Sequence, residues 1–195
     1  MTDMRTGSWL RPARSVVQLA AVGLFLAACG SAAPTVADRQ SPDSGAAVDS
    51  FRLVAYQGEQ VLGRDLDFES LLGNGRPMVL NFWAAQCPPC LLEMPWLETV
   101  SQQYADRVLM LGVDIGPFIG LGTNEQGAQL LRDFDITYPA AYAVDDTPVR
   151  QFEVLSMPTT VFFDAAGEMV EKHAGILTQS QIEDWFAELA AGSST

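Results

Sequence analysis

Cys87 and Cys90 carry the plainest chemistry of this chain: two thiols at i and i+3, with Pro88 and Pro89 between them. At a helix start that spacing lets the sulfurs close a small disulfide and reopen it with little backbone movement. The unpaired amides of a helix N-terminus favour a thiolate on the first cysteine, and the thiolate is the attacking species. Cys87 is therefore expected to attack and Cys90 to resolve. The same two residues also suit a purely structural disulfide, or half of a zinc site, which needs a second Cys or His pair at ligand spacing. Beyond the pair the chain holds only Cys29 and His173, so no metal site is expected.

A dithiol of this kind needs a strand to deliver it and a helix to begin on it. The apolar run Pro77 to Trp83 supplies a buried strand. The segment after Cys87 reads as a helix with Met94, Leu97, Val100 or Ser101, and Tyr104 on one face, kinked at Pro95. Upstream, Phe51 to Tyr56 alternates as an opening strand, Gln57-Gly58-Glu59 reads as a turn, and Phe68 to Leu72 as one helical turn. Downstream, Val108 to Asp114 is a second buried strand, Gly116 to Gly122 an apolar glycine-rich loop, and Asn124 to Phe134 a helix with Leu130, Leu131 and Phe134 inward. The loop suits a substrate-contacting rim at Phe118 and Ile119 and equally a connector packed on the core. Thr159 to Asp164 and Glu168 to His173 form a hairpin about Ala165-Ala166-Gly167. A last helix from near Thr178 to Ser180 places Ile182, Trp185, Phe186 and Leu189 on a core stripe. Strand, helix, strand, helix, hairpin and helix make an α/β pattern with a mixed sheet.

The ends bound where this chemistry takes place. Arg5, Arg11 and Arg14 precede an apolar stretch from Val16 to Ala28 that ends in small residues and is short for a membrane span, so residues 1–28 read as an export signal. Leu26-Ala27-Ala28-Cys29 resembles the lipobox of bacterial lipoproteins, which implies cleavage before Cys29 and a lipid anchor on it. Residues 29–50, rich in Ala, Ser, Pro and Asp, read as a flexible linker, and 51–191 as one domain. Without the leader, 8 basic residues face 23 acidic ones, a net charge of −15. Such a surface offers nucleic acid no electrostatic attraction.

Asn81-Phe82-Trp83-Ala84-Ala85-Gln86-Cys87-Pro88-Pro89-Cys90, followed by Glu93-Met94-Pro95, resembles the membrane-tethered thioredoxin-like proteins of the TlpA/ResA group. The similarity runs from Phe51 to Leu189 and is strong again from Ser156 to Asp164. It implies an α/β, thioredoxin-like mixed β-sheet flanked by helices. It also implies a lipid-anchored enzyme on the extracytoplasmic face of the cell membrane, exchanging electrons with thiols and disulfides of exported proteins. Those of cytochrome c biogenesis are among the candidates. No cofactor is implied, and a membrane-embedded electron donor is. By the same resemblance Met157-Pro158 is a cis bond facing the dithiol, with the Met157 backbone offered to an extended substrate, and Glu93 is an active-site carboxylate that relays protons. The chain departs from the group at Gln86, where many relatives have Trp, so a flat aromatic wall beside Cys87 is not expected.

Two other functions use similar parts. A peroxiredoxin needs a hydroxyl residue shortly before its reactive cysteine, and Trp83 to Gln86 has none. A Sco-like copper carrier spaces its thiols by three residues and adds a histidine; only His173 is on offer. The direction of electron flow also has a local signature. No Lys or Arg lies between Pro77 and Asp106, Glu93, Glu98 and Asp106 oppose a thiolate, and Pro88 and Pro89 carry no N–H. The first amides able to reach the Cys87 sulfur are those of Cys90 and Leu91. A weakly stabilised thiolate favours the disulfide form, so the domain is expected to act as a reductant.

Overall fold

The computed structural model describes residues 50–192, so the expected leader, Cys29 and nearly all of the linker lie outside the described residues. In chain order the elements are β1 (Arg52–Gln57), α1 (Glu59–Leu62), β2 (Asp65–Asp67), a 3₁₀ turn (Phe68–Leu71), β3 (Met78–Trp83) and α2 (Pro88–Gln103). They continue with β4 (Leu109–Asp114), α3 (Gly116–Ile119), α4 (Asn124–Asp133), β5 (Ala140–Ala143), α5 (Thr147–Gln151), β6 (Thr159–Phe163), β7 (Met169–Ala174) and α6 (Gln179–Gly192). One seven-stranded sheet has the order β2-β1-β5-β4-β3-β6-β7. β3, β4 and β5 are parallel, and the remaining pairs are antiparallel.

β3 and β4 are buried along their whole length, which is why both read as continuous apolar runs. Strand alternation sends Val79 and Trp83 to a core shared with Met94, Leu97 and Val100 of α2, Leu131 of α4, and Ile182, Phe186 and Leu189 of α6. Leu80 and Phe82 point the other way, into a core with Phe51, Phe68, Phe152 and Phe163. α2 continues through Pro95, which sits on its exposed face and gives the Leu91 carbonyl no helical N–H. Among the described residues no helix is long and apolar enough to cross a membrane.

Four features differ from the sequence reading. Gln57-Gly58-Glu59 is no simple turn: Gly58, at φ +80°, caps α1, and a Cβ there would stand 2.9 Å from Pro139 Cα. The loop Gly116 to Gly122 contains α3; its Ile119 packs on both cores while Phe118 remains exposed. Phe134, expected inward, is exposed, because it is the C-cap of α4 and the chain leaves the helical path there. β2, β5 and α5 have no counterpart in the sequence reading: β2 forms one edge of the sheet, β5 joins β1 to β4 within it, and Val149 of α5 packs on the second core.

Candidate active site

β3 ends at Trp83, and the chain turns through Ala84 to Gln86 into α2, so the first cysteine becomes the helix N-cap. Cys87 and Cys90 are joined in a disulfide with their Cα atoms 5.3 Å apart. Pro88 and Pro89 fill the first helical positions, where absent N–H groups break no helical bond. Of the two amides within sequence reach of the Cys87 sulfur, only that of Cys90 donates to it, at 3.3 Å; the Leu91 amide donates to the Cys87 carbonyl instead. The cysteines are 2% and 1% exposed, whereas Gln86 and Pro88 on either side of Cys87 are exposed.

Glu93 lies one turn beyond Cys90 on the buried face of α2 and is 1% exposed. Its Oε1 accepts from Asn81 Nδ2 at 3.0 Å and its Oε2 from the Leu177 amide at 2.9 Å. Asn81 Nδ2 also donates to Thr160 Oγ1 at 2.9 Å. Sheet register makes this trio: Asn81 of β3 stands between Thr160 of β6 and Gly112 of β4. Burial pushes the Glu93 carboxyl up to about 7, with the Leu177 amide and the Thr160 and Asn81 side chains offsetting part of the rise. Glu98, counted in the sequence among the charges opposing a thiolate, is committed elsewhere. Its oxygens accept from the Thr137 and Tyr138 amides at 2.8 and 3.2 Å and from Thr137 Oγ1, tying α2 to the entry of β5.

The Met157-Pro158 bond is cis, as the resemblance implied, and opens β6 beside β3. Met157 is half-buried and packs against both cores. Pro158 is buried, and its carbonyl accepts from the Gly175 amide. His173 lies in β7, in register with Thr160. Cys29 is outside the described residues.

Sequence reasoning missed several participants. Asn81 and Thr160 hold the Glu93 carboxyl; a polar residue midway through the buried run Met78 to Trp83 was the available signal. Asp114, 1% exposed at the end of β4, accepts from Tyr56 Oη and from the Gly116 amide, both at 2.8 Å. Burial raises the Asp114 carboxyl, and a Cβ on Gly127 would fall 2.3 Å from Asp114 Oδ2, so α4 can cross the carboxylate only at glycine. Thr123-x-x-Gln126 is a capping box, a pattern that the sequence alone displays.

Comparison with known proteins agrees with this architecture. Residues 64–190 match the family model described as a thioredoxin-like domain. The thiol-disulfide oxidoreductase ResA of Halalkalibacterium halodurans is 30% identical over 78% of this chain and 80% of its own length. The thioredoxin-like protein YneN of Bacillus subtilis is 29% identical over 74% and 75% of the two chains. Among solved structures, the exposed lipoprotein thioredoxin of Streptococcus pneumoniae superposes with a TM-score of 0.60 at 22% identity, covering 72% of this chain and 99% of that one. A DsbE thiol:disulfide interchange protein of Chlorobium tepidum gives 0.62 at 20% identity, over 79% and 100%. With a strand-delivered cysteine pair closed at the start of α2 and a family match across most of the described residues, the chain belongs to the thioredoxin-like family, among its thiol–disulfide oxidoreductases.

Proposed function

We propose that this protein is a membrane-tethered, extracytoplasmic oxidoreductase that reduces disulfides in exported proteins. The observation that carries the reading is the Cys87–Cys90 disulfide at the α2 N-cap, with a single amide on the Cys87 sulfur. In the reduced protein the Cys87 thiolate attacks one sulfur of a substrate disulfide; that S–S bond breaks, and the second substrate sulfur leaves as a thiolate. Cys90 then gives its proton to the Glu93 carboxylate and attacks Cys87 Sγ. The mixed disulfide breaks, and the substrate thiolates collect the protons. Two electrons have passed to the substrate, and the protein holds the disulfide seen here. A membrane-embedded dithiol donor reverses the change. Met157, beside the cis bond, offers its backbone to the substrate chain.

Reduction is the favoured direction because little stabilises the thiolate. Pro88 and Pro89 supply no amide, Leu91 spends its own on a carbonyl, and no Lys or Arg lies between Pro77 and Asp106. Hydrogen bonds to a charged group contribute about 1.5 to 3 kcal/mol each, and about 1.4 kcal/mol corresponds to 30 mV, so each missing donor lowers the potential by tens of millivolts. A redox titration of residues 50–195 against glutathione is expected to give a midpoint below about −200 mV. A value near about −120 mV, that of a strongly oxidising dithiol, would overturn the reductant assignment.

The tether is read from the leader and Cys29. Replacing Cys29 with alanine is expected to release the protein from membranes while leaving its midpoint potential unchanged. Retention of Cys29→Ala in the membrane fraction would sink the lipid anchor.

A further inference from the structure

A partner that reaches the covered Cys87 sulfur must pass Gln86, the exposed residue on its N-terminal side. Gln86 is fixed at both ends. Its backbone N–H donates to the Leu121 carbonyl at 2.8 Å, and its Nε2 donates to Gln126 Oε1, in the first turn of α4, at 3.2 Å. The strap between them lies against the turn before the dithiol: at Gly122, φ +129°, a Cβ would meet the Ala85 Cβ at 3.0 Å. The same Gln126 oxygen accepts from the Thr123 N–H at 3.0 Å, while Thr123 Oγ1 accepts from the Gln126 N–H at 3.4 Å. A backbone N–H requires an acceptor, so this box fixes which way the Gln126 amide points.

With Gln126 Oε1 used twice, its Nε2 donates to no group among the described residues, and Gln86 Oε1 accepts from none. Both side chains are exposed. Together they present one amide donor and one amide acceptor beside Cys87, the complement of a peptide group. The surroundings are neutral: Ala84 to Leu92 and Leu121 to Asn124 contain no charged residue, and Glu125 is the first, on the next position of α4.

We propose that Gln86 and Gln126 form a substrate clamp that hydrogen-bonds the main chain of an extended segment of a protein carrying the target disulfide. Uncharged amides read the peptide group and leave side-chain charge unread, which fits unfolded or partly folded chains of varied sequence. The clamp rests on Cys87 being the attacking thiol. It takes the place of an aromatic wall with a hydrogen-bonding one, on the side of Cys87 whose sequence departs from the TlpA/ResA pattern.

Gln126→Glu separates recognition from folding. Glutamate is the other standard residue of a capping box, so the bond from Thr123 survives and the thermal midpoint should not fall, while the Nε2 donor is lost. Gln86→Ala removes the acceptor independently. The probes are an extended cystine peptide and hydroxyethyl disulfide, which has no peptide group, each turned over with excess dithiothreitol. In each variant the ratio of kcat/KM on the peptide to that on hydroxyethyl disulfide is expected to fall about tenfold, carried by KM on the peptide, as the loss of one hydrogen bond requires. An unchanged ratio in both variants overturns the clamp, whether or not both activities fall together. Attack by Cys90 in place of Cys87, read by mass spectrometry of the trapped peptide, overturns the assignment beneath the clamp and is distinguishable from an unchanged ratio.

Discussion

Cys87→Ser is expected to reduce disulfide exchange to background, a loss of about a thousandfold or more, as for removal of other covalent nucleophiles. Cys90→Ser should still attack and then stall as a mixed disulfide. The asymmetry follows from position. Cys87 is the N-cap, flanked by the exposed Gln86 and Pro88, while Cys90 lies inside the first turn on the buried face of α2. A partner sulfur arriving from solvent is therefore expected to meet Cys87 first. The Cys90 amide donates to the Cys87 sulfur at 3.3 Å, so a thiolate there has a hydrogen bond from the turn that holds the resolving thiol. Once the mixed disulfide has formed, the resolving thiol can expel the partner, and serine cannot substitute because its hydroxyl is not ionised at neutral pH. Non-reducing electrophoresis of membranes, followed by mass spectrometry, checks both variants. Adducts on Cys90 in Cys87→Ser, with none on Cys87 in Cys90→Ser, would reverse the two roles.

The dithiol was legible in the sequence because everything that builds it is local: an apolar strand, a three-residue turn, prolines at the helix start. What holds Glu93 was not. Asn81, Thr160 and Leu177 lie 12, 67 and 84 residues from it; the register of β3 with β6 brings Asn81 to Thr160, and the chain between β7 and α6 brings Leu177. The sequence left Glu93 as a helix carboxylate whose role came by resemblance; the fold buries it and supplies its partners. β5 escaped for a different reason. Ala140-Ala141-Tyr142-Ala143 has low strand propensity, and it is ordered by parallel pairing with β4 and antiparallel pairing with β1. Phe134 shows the limit of helical periodicity, which extrapolates a face past the residue where the helix ends.

Glu93→Gln is expected to remove a pH dependence that the wild type carries in both rate and stability. The carboxyl is 1% exposed and is pushed up to about 7 by burial, from an ordinary value of 4.5. Between those two values the folded protein holds a proton that the unfolded chain has released, so folding stability falls as pH rises from about 4.5 through about 7 and levels off above. The slope approaches about 1.4 kcal/mol per pH unit, for a total of about 3 kcal/mol. Urea unfolding of the oxidised wild type and Glu93→Gln at pH 5, 6, 7 and 8 should give a difference that changes by about 2.5 kcal/mol across that window, the contributions of all other groups cancelling. The amide has one acceptor where the carboxylate has two, facing donors from Asn81 and Leu177, so the variant's absolute stability shifts at every pH; the change in the difference isolates the titration. The kinetic counterpart has the opposite slope. In the proposed mechanism Cys90 gives its thiol proton to an ionised Glu93, so the wild-type rate is expected to climb through pH 7. The variant should lag by about a hundredfold at pH 8, the low end of general-base contributions, and converge with wild type near about pH 5, where about one Glu93 in a hundred is ionised. Parallel stability curves together with parallel rate profiles would remove Glu93 as the titrating group and leave it a structural strut between α2 and the loop before α6.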